Sequence, residues 1–375
     1  MRKAAVNLAL LFVATLISLG LCEVATRLLL GNRIMLIPRF HTSANYGEFT
    51  IRRLRPNYQF WHTDADGHWK FVTNSQGFRS DEDFRLKKTP GVFRVIALGD
   101  STTEGFEVRQ NYTYPAVLER YLKKNGVNAE VFNTGVSGFG TAEELIYLEN
   151  EGIRYHPDAV VLGFFGNDFD DNVRSDLFRI ADGELVIVNK NYIPGVRILD
   201  IVNSVPLLRW LSQNSYFYSL AANTIWAASK AARLGSAEQA RETEFTVGTS
   251  LDQYKIDLQV ALLQRLHAFC RSQGIPLIVV DIPQLSEPEL IPSIPADLRS
   301  QFRENSDALI LSEDLFAPYV GLAELHALRG RGHPNEFSDA MIAIGIGQKI
   351  RGLLSECGES QLGRQCPVAG STAPP

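Results

Sequence analysis

The sequence predicts a three-layer α/β/α protein with a central parallel sheet, preceded by an N-terminal transmembrane helix, on three observations. Residues 92–98 (VFRVIAL) form a nearly continuous apolar run that ends abruptly in Gly99-Asp100-Ser101. Such a run marks a strand buried on both faces, as in parallel sheets. Two more runs, residues 129–132 and 158–165, follow with helical periodicity between them. Alternating strands and helices imply crossovers that cover both sheet faces. Third, residues 4–22 carry no charge and stand behind the basic Arg2 and Lys3.

At about 1.5 Å per residue that uncharged stretch spans roughly 28 Å, close to the hydrocarbon thickness of a bilayer. The basic flank predicts a cytoplasmic N-terminus and an extracytoplasmic (periplasmic or cell-surface) remainder. A cleaved signal peptide has the same start, but residues 23–27 (EVATR) follow without a small-x-small site ahead of them. Residues 19–22 (LGLC) are similar to a lipoprotein processing box, with Leu21 too bulky for it. The expectation is an uncleaved anchor over residues 1–27, with the membrane as its partner.

Residues 28–91 read as a connector packing on the domain, with scattered aromatics and a turn signal at Gln76-Gly77. Residues 92–356 read as the domain. Its helices are expected at 114–124, at 141–151 with Thr141 as N-cap and Glu144 as capping-box partner, at 251–272 and near 338–354. Further strands are expected at 276–282 and 308–311. Between 169 and 250 the alternation stops, giving a hairpin that turns at Asp182-Gly183 and then apolar helices. This insertion is either a lid or membrane-facing cap, or packing for the sheet. Residues 357–375 are rich in Gly, Ser and Pro and read as a loose tail. Cys357 and Cys366 could close a small loop in an oxidising compartment, while Cys270 lies in an apolar helical pattern and reads as buried and inert.

With 375 residues, 45% hydrophobic and 21% charged, the chain suffices for one large α/β domain plus extras. A net charge of −5 without any basic run argues against a nucleic-acid partner.

Three strands end in small or polar loops, GDS at 99–101, GVSG at 135–138 and GND at 166–168. In an open α/β sheet these loops converge on one edge, where the chemistry sits. Serine hydrolysis needs a base within hydrogen-bond reach and donors aimed at the developing oxyanion. Ser101 offers the hydroxyl and His333 the imidazole. The N–H groups of Ser101 and Gly138 and the side-chain amide of Asn167 offer the donors. Asp100 and Asp168 are expected to brace their loops by hydrogen bonds. Asp170 and Asp171 lack the spaced His and Cys partners of a metal site, and no Gly-Lys-Ser/Thr follows GDSTTEG to make a phosphate loop. No metal or organic cofactor is expected.

Four blocks carry a family resemblance: GDSTTEG, NTGVSGFGT, GND and HPN, in order over roughly residues 92–350. The sequence resembles the SGNH (GDSL-type) hydrolases, which implies a flavodoxin-like fold. The anchor together with NSQGFRS and FFGNDFDDN is similar to a bacterial membrane-anchored branch. The resemblance implies Ser101 as nucleophile, His333 as general base, and Gly138 and Asn167 completing the oxyanion hole. It implies a serine esterase acting on carboxylic esters, such as O-acyl groups on cell-envelope carbohydrate or lipid. An O-acyltransferase acting on envelope polysaccharide would use the same residues. One departure stands out: the family's aspartate three residues before the histidine is here Gly330. Neutralising the acid of a Ser-His-Asp triad costs about 10⁴ in turnover. A backbone carbonyl, another acid (Glu324, Glu336 or Asp339) or weak activity would each answer to this. The departure also motivates a third reading, a catalytically degenerate SGNH-fold binding or scaffold protein.

Overall fold

The computed structural model describes residues 2–34, 36, 40–63, 67–242, 251–286, 289–327 and 332–356. Gly330, the tail 357–375 and its Cys357 and Cys366 lie outside these described residues. Helix α1 (Arg2–Leu30) is continuous, and its apolar side chains, Leu8, Leu11, Phe12 and Ile17 among them, are exposed. It is long and apolar enough to cross a membrane.

The connector contains two antiparallel hairpins that the sequence does not announce. One pairs β1 (His41–Tyr46) with β2 (Phe49–Leu54), the other β3 (Gln59–Thr63) with β4 (His68–Val72). Phe40, Phe60 and Phe71 pack with ring centroids 4.7 to 4.8 Å apart, which gives these short strands a core of their own.

The domain then runs β5 (Phe93–Gly99), α2 (Ser101–Glu104), α3 (Tyr114–Lys124), β6 (Ala129–Asn133), α4 (Thr141–Asn150), β7 (Ala159–Phe164) and α5 (Asp168–Ser175). The insertion holds the hairpin β8 (Phe178–Ala181) and β9 (Glu184–Ile187), which turns at Asp182 and Gly183, both at positive φ. A short β10 (Asn191–Tyr192) runs parallel to β2. Helices α6 (Val196–Ser204), α7 (Pro206–Asn214) and α8 (Tyr216–Glu242) follow. The core resumes with α9 (Leu251–Ser272), β11 (Leu277–Asp281), a small hairpin of β12 (Gln284–Ser286) and β13 (Glu289–Ile291), α10 (Arg299–Glu304), β14 (Ala308–Ile310), α11 (Ser312–Phe316) and α12 (Glu336–Glu356).

The central sheet has the order β14-β11-β7-β5-β6, with every pair parallel. Counted along the chain this is 2-1-3-4-5, the flavodoxin-like doubly wound order, whose switch point lies between β5 and β7. Side chains alternate across a strand, so each strand feeds two cores. Leu98, Phe132 and Phe164 pack with Leu145 of α4 and Leu262 of α9 on one face. Val95, Val161 and Val280 pack with Leu118 of α3 and Ile346 of α12 on the other. Burying each such side chain contributes about 1.5–3 kcal/mol.

One local expectation needs correction. Helix α4 is capped one residue earlier than its sequence suggests: Glu143, not Glu144, reaches back to the Gly140 N–H at 3.1 Å. Thr141 is instead buried in hydrogen bonding with Gln259. Helix α8 packs against α5, α9 and α1, while Ile198, Ile201, Leu207, Trp210 and Ile225 stay exposed. Glu23 of α1 accepts hydrogen bonds from the Ser215 hydroxyl (2.7 Å) and the Tyr216 and Phe217 N–H groups (3.1 and 3.0 Å). A carboxylate on the first-turn amides of α8 satisfies otherwise orphaned donors, so the insertion is tied to the apolar helix.

Candidate active site

Strand β5 ends at Gly99, whose φ of +154° would drive a Cβ to 2.0 Å from Thr103 Oγ1. Only glycine allows so tight a turn into α2. Asp100 caps that helix, its Oδ1 accepting from the Thr102 N–H and hydroxyl at 2.8 Å each. Ser101 thus opens α2, and first-turn amides have no acceptor within the helix.

The loop after β6 is pressed onto α2. A Cβ on Gly135 would lie 2.2 Å from the Glu104 backbone nitrogen, so glycine is required there too. Glu104 Oε2 accepts from both the N–H and the hydroxyl of Ser137 at 2.7 Å. Helix α2 and the segment carrying Gly138 are thereby joined through one carboxyl. Arg52 of β2 donates to the Gly138 carbonyl at 2.7 Å. Beyond β7, Asn167 Nδ2 donates to Asp171 Oδ2 at 2.8 Å, which fixes the plane of its amide and leaves its second N–H.

His333 is held by its backbone and by two rings. Residues around it bridge antiparallel to the segment at His326, with Ala327 N–H donating to the His333 carbonyl at 3.0 Å. Asn335 caps α12 through the Ser338 N–H. The Phe165 ring stacks on the imidazole at 6.1 Å and the Phe106 ring lies 6.4 Å away. The result is a 2.8 Å contact between Ser101 Oγ and His333 Nε2, across 232 positions of sequence.

The other imidazole nitrogen, Nδ1, faces Glu107 Oε1 at 3.6 Å, and the Glu107 side chain is 1% exposed. None of the three carboxylates suggested by the sequence takes this place. Glu336 is engaged by Arg109, Nε to Oε1 at 2.5 Å, Asp339 accepts from the Tyr114 N–H at 2.9 Å, and Glu324 is exposed. Glu107 sits three residues beyond α2 in a loop pinned by the buried Arg79, which donates to the carbonyls of Glu104, Gly105 and Val108. Sequence reading missed it because one glutamate in GFEVRQ looks like any surface acid. Asp168 also departs from expectation. Both its carboxyl oxygens are buried without a hydrogen-bond partner, and burial, with Glu144 beside it, drives its pKa well above the usual carboxylate range.

Burial likewise raises Glu104 to a pKa of about 7, against the lowering effect of its Ser137 hydrogen bonds. A carboxyl whose pKa is higher folded than unfolded stabilises fully below its unfolded value and loses that contribution as pH climbs through the folded one. Between the ordinary 4.5 and about 7 the loss amounts to about 3 kcal/mol. Glu104→Gln is therefore expected to shrink the stability difference between pH 5 and pH 8 by up to that amount. Urea unfolding at the two pH values checks this, and an unchanged difference refutes it.

The sequence matches the GDSL-like Lipase/Acylhydrolase family over residues 97–336. No curated protein matches it. Similar solved structures include TesA (14% identity, 70% of this chain and 99% of that one, TM-score 0.37). An acetyl xylan esterase, AlAXEase, has 16% identity over 69% of this chain and 100% of its own, with TM-score 0.38. The lipase/acylhydrolase from Enterococcus faecalis has 14% identity over 69% and 96%, with TM-score 0.35. The family match spans strands β6, β7 and β11, the end of β5, and the segments that carry Ser101, Gly138, Asn167 and His333, and so the chain belongs to the GDSL-like lipase/acylhydrolase family.

Proposed function

We propose that the chain is a serine esterase that cleaves carboxylic esters through an acyl-enzyme on Ser101. The observation that carries this reading is the 2.8 Å approach of Ser101 Oγ to His333 Nε2, within the range in which a base takes up a hydroxyl proton. Ser101 Oγ attacks the ester carbonyl carbon as its proton passes to His333 Nε2. The oxyanion lies against the Ser101 and Gly138 N–H groups and Asn167 Nδ2. The imidazolium protonates the departing alkoxide. A water, deprotonated by His333, then attacks the acyl-enzyme and releases the carboxylic acid. Glu107 orients the imidazole and balances its positive charge. With that acid in place of the one missing at Gly330, the reason for a non-catalytic scaffold falls away.

A fluorophosphonate probe is expected to label the full chain at Ser101, with labelling abolished in Ser101→Ala. An unlabelled, folded wild type would sink the reading. Removing one oxyanion donor typically costs about 10²–10³ in kcat, and Asn167→Ala is expected to show that loss in steady-state ester hydrolysis with a smaller change in KM. A fall of less than threefold would remove Asn167 from the site.

Helix α1 anchors the enzyme with its domain outside the cytoplasm, where O-acyl groups on envelope carbohydrate or lipid are the substrates. The chain is expected to stay with membranes through an alkaline carbonate wash and to retain its N-terminal residues. N-terminal sequencing that begins near Glu23 would show a cleaved signal instead.

A further inference from the structure

Helices α6 and α7 carry large apolar side chains on their outer surface. Ile198 and Ile201 stand three positions apart on α6, and Leu207 and Trp210 three apart on α7. Residues at that spacing share a helix face, and these four are 57 to 68% exposed. Val205, also exposed, joins the two helices. Ile225 of α8 is exposed too, and it lines with Ile198 one hollow of about 350 Å³ whose walls include Leu199 and Val202. Apolar surface gathered in this way marks an interaction site rather than scattered exposure.

The same segment is bonded to the end of α1. Arg27 donates to the carbonyl of Asn214, the last residue of α7, at 2.7 Å, and its guanidinium lies over the Tyr216 ring at 5.0 Å. Glu23 holds the first amides of α8. The uncharged stretch 4–22 ends one residue before Glu23, so Glu23 to Arg27 lie within about 8 Å of its end. The headgroup layer of a bilayer is roughly 5–8 Å deep on each side. With residues 4–22 in the hydrocarbon, the junction of α7 and α8 therefore stands at headgroup level, and Trp210 is one helical turn before it. Indole rings favour that depth, being apolar in body with one polar N–H.

We infer that the exposed apolar face of α6, α7 and the Ile225 side of α8 is seated in the bilayer leaflet at the C-terminal end of α1, with a lipid tail filling the hollow. Lipid is the occupant because the face is bonded to α1, and lipid surrounds α1 whenever that helix is inserted. The domain then lies on the membrane at two places instead of hanging from one helix. The inference rests on α1 spanning the bilayer, and the test keeps the two apart.

The test uses the full chain in nanodiscs of dioleoyl-phosphatidylcholine and in matched nanodiscs of a brominated phosphatidylcholine, whose bromines quench tryptophan on contact. Helix α1 has no tryptophan, and the chain has Trp61, Trp69, Trp210 and Trp226. The emission of Trp210 is the difference between wild type and Trp210→Phe, and it is expected to fall at least twofold in the brominated discs. Leu207→Glu, measured against its own Trp210→Phe partner, is expected to abolish most of that quenching, because a carboxylate is costly in lipid. A residue facing water would tolerate the change without effect, so quenching that Leu207→Glu leaves untouched would overturn the seating of this face. Should Trp210→Phe fail to fold, the total emission of wild type and Leu207→Glu gives the same comparison. N-terminal sequencing of the same preparation separates the two readings. An intact N-terminus with unquenched Trp210 overturns this inference and leaves the anchor standing, and a crosslinked dimer in that case assigns the face to a second copy. A chain that begins near Glu23 ends the anchor reading. Quenched Trp210 in that chain would still support the lipid seat, and unquenched Trp210 would end both.

Discussion

Ser101→Ala is expected to lower kcat for a small activated ester such as p-nitrophenyl acetate by roughly 10⁶, the scale seen when a serine nucleophile is removed. The size follows from the division of labour at the site. Without Oγ there is no acyl-enzyme, and His333 can only activate water against an ester that the donors still polarise. His333→Ala should cost nearly as much, and the double variant hardly more than either single one, because in the proposed mechanism nucleophile and base act as one unit. The 2.8 Å contact between them predicts this lack of additivity. Circular dichroism should report an unchanged fold, since Ser101 stands at the first position of a four-residue helix whose cap is Asp100. Retention of activity within tenfold of wild type would mean that another group attacks the ester.

The core of this architecture was legible because its signals are local. A strand buried on both faces must be apolar throughout, and residues 93–99, 129–133 and 159–164 are strands close to where the unbroken runs lie. The hairpins of the connector were not legible because their pattern is interrupted by buried polar residues. His62 on β3 is fully buried and stacks on Trp69 at 4.2 Å, while Arg52 on β2 is 4% exposed. In a sequence neither residue announces its burial. The partnership of Ser101 with His333 was legible only as four short blocks in order, because the distance between them is set by sheet order rather than by chain spacing. The buried acids were misread for a related reason. The burial of Glu107 comes from Arg79, 28 positions earlier, which grips the carbonyls on either side of it.

Glu107→Gln is expected to lower kcat by about 10³ with little change in KM, between the modest loss of a distant charge and the roughly 10⁴ cost of neutralising a triad acid. The 3.6 Å separation from His333 Nδ1 is longer than a hydrogen bond, which places the effect below the upper figure. Contacts of this kind commonly tighten when the imidazole becomes charged. Its stabilisation therefore falls on the transition state and not on bound substrate, and such an interaction appears in kcat rather than KM. Glutamine keeps the shape and one oxygen of the side chain, so a loss of packing would leave kcat nearly unmoved. Glu324→Gln and Glu336→Gln are expected to remain within about twofold of wild type. Glu324 is exposed, and the charge of Glu336 is spent on Arg109. Should Glu336→Gln fall a thousandfold while Glu107→Gln stays active, the acid would have to reach His333 from α12. The Arg109 bridge would then be the contact that breaks when substrate binds.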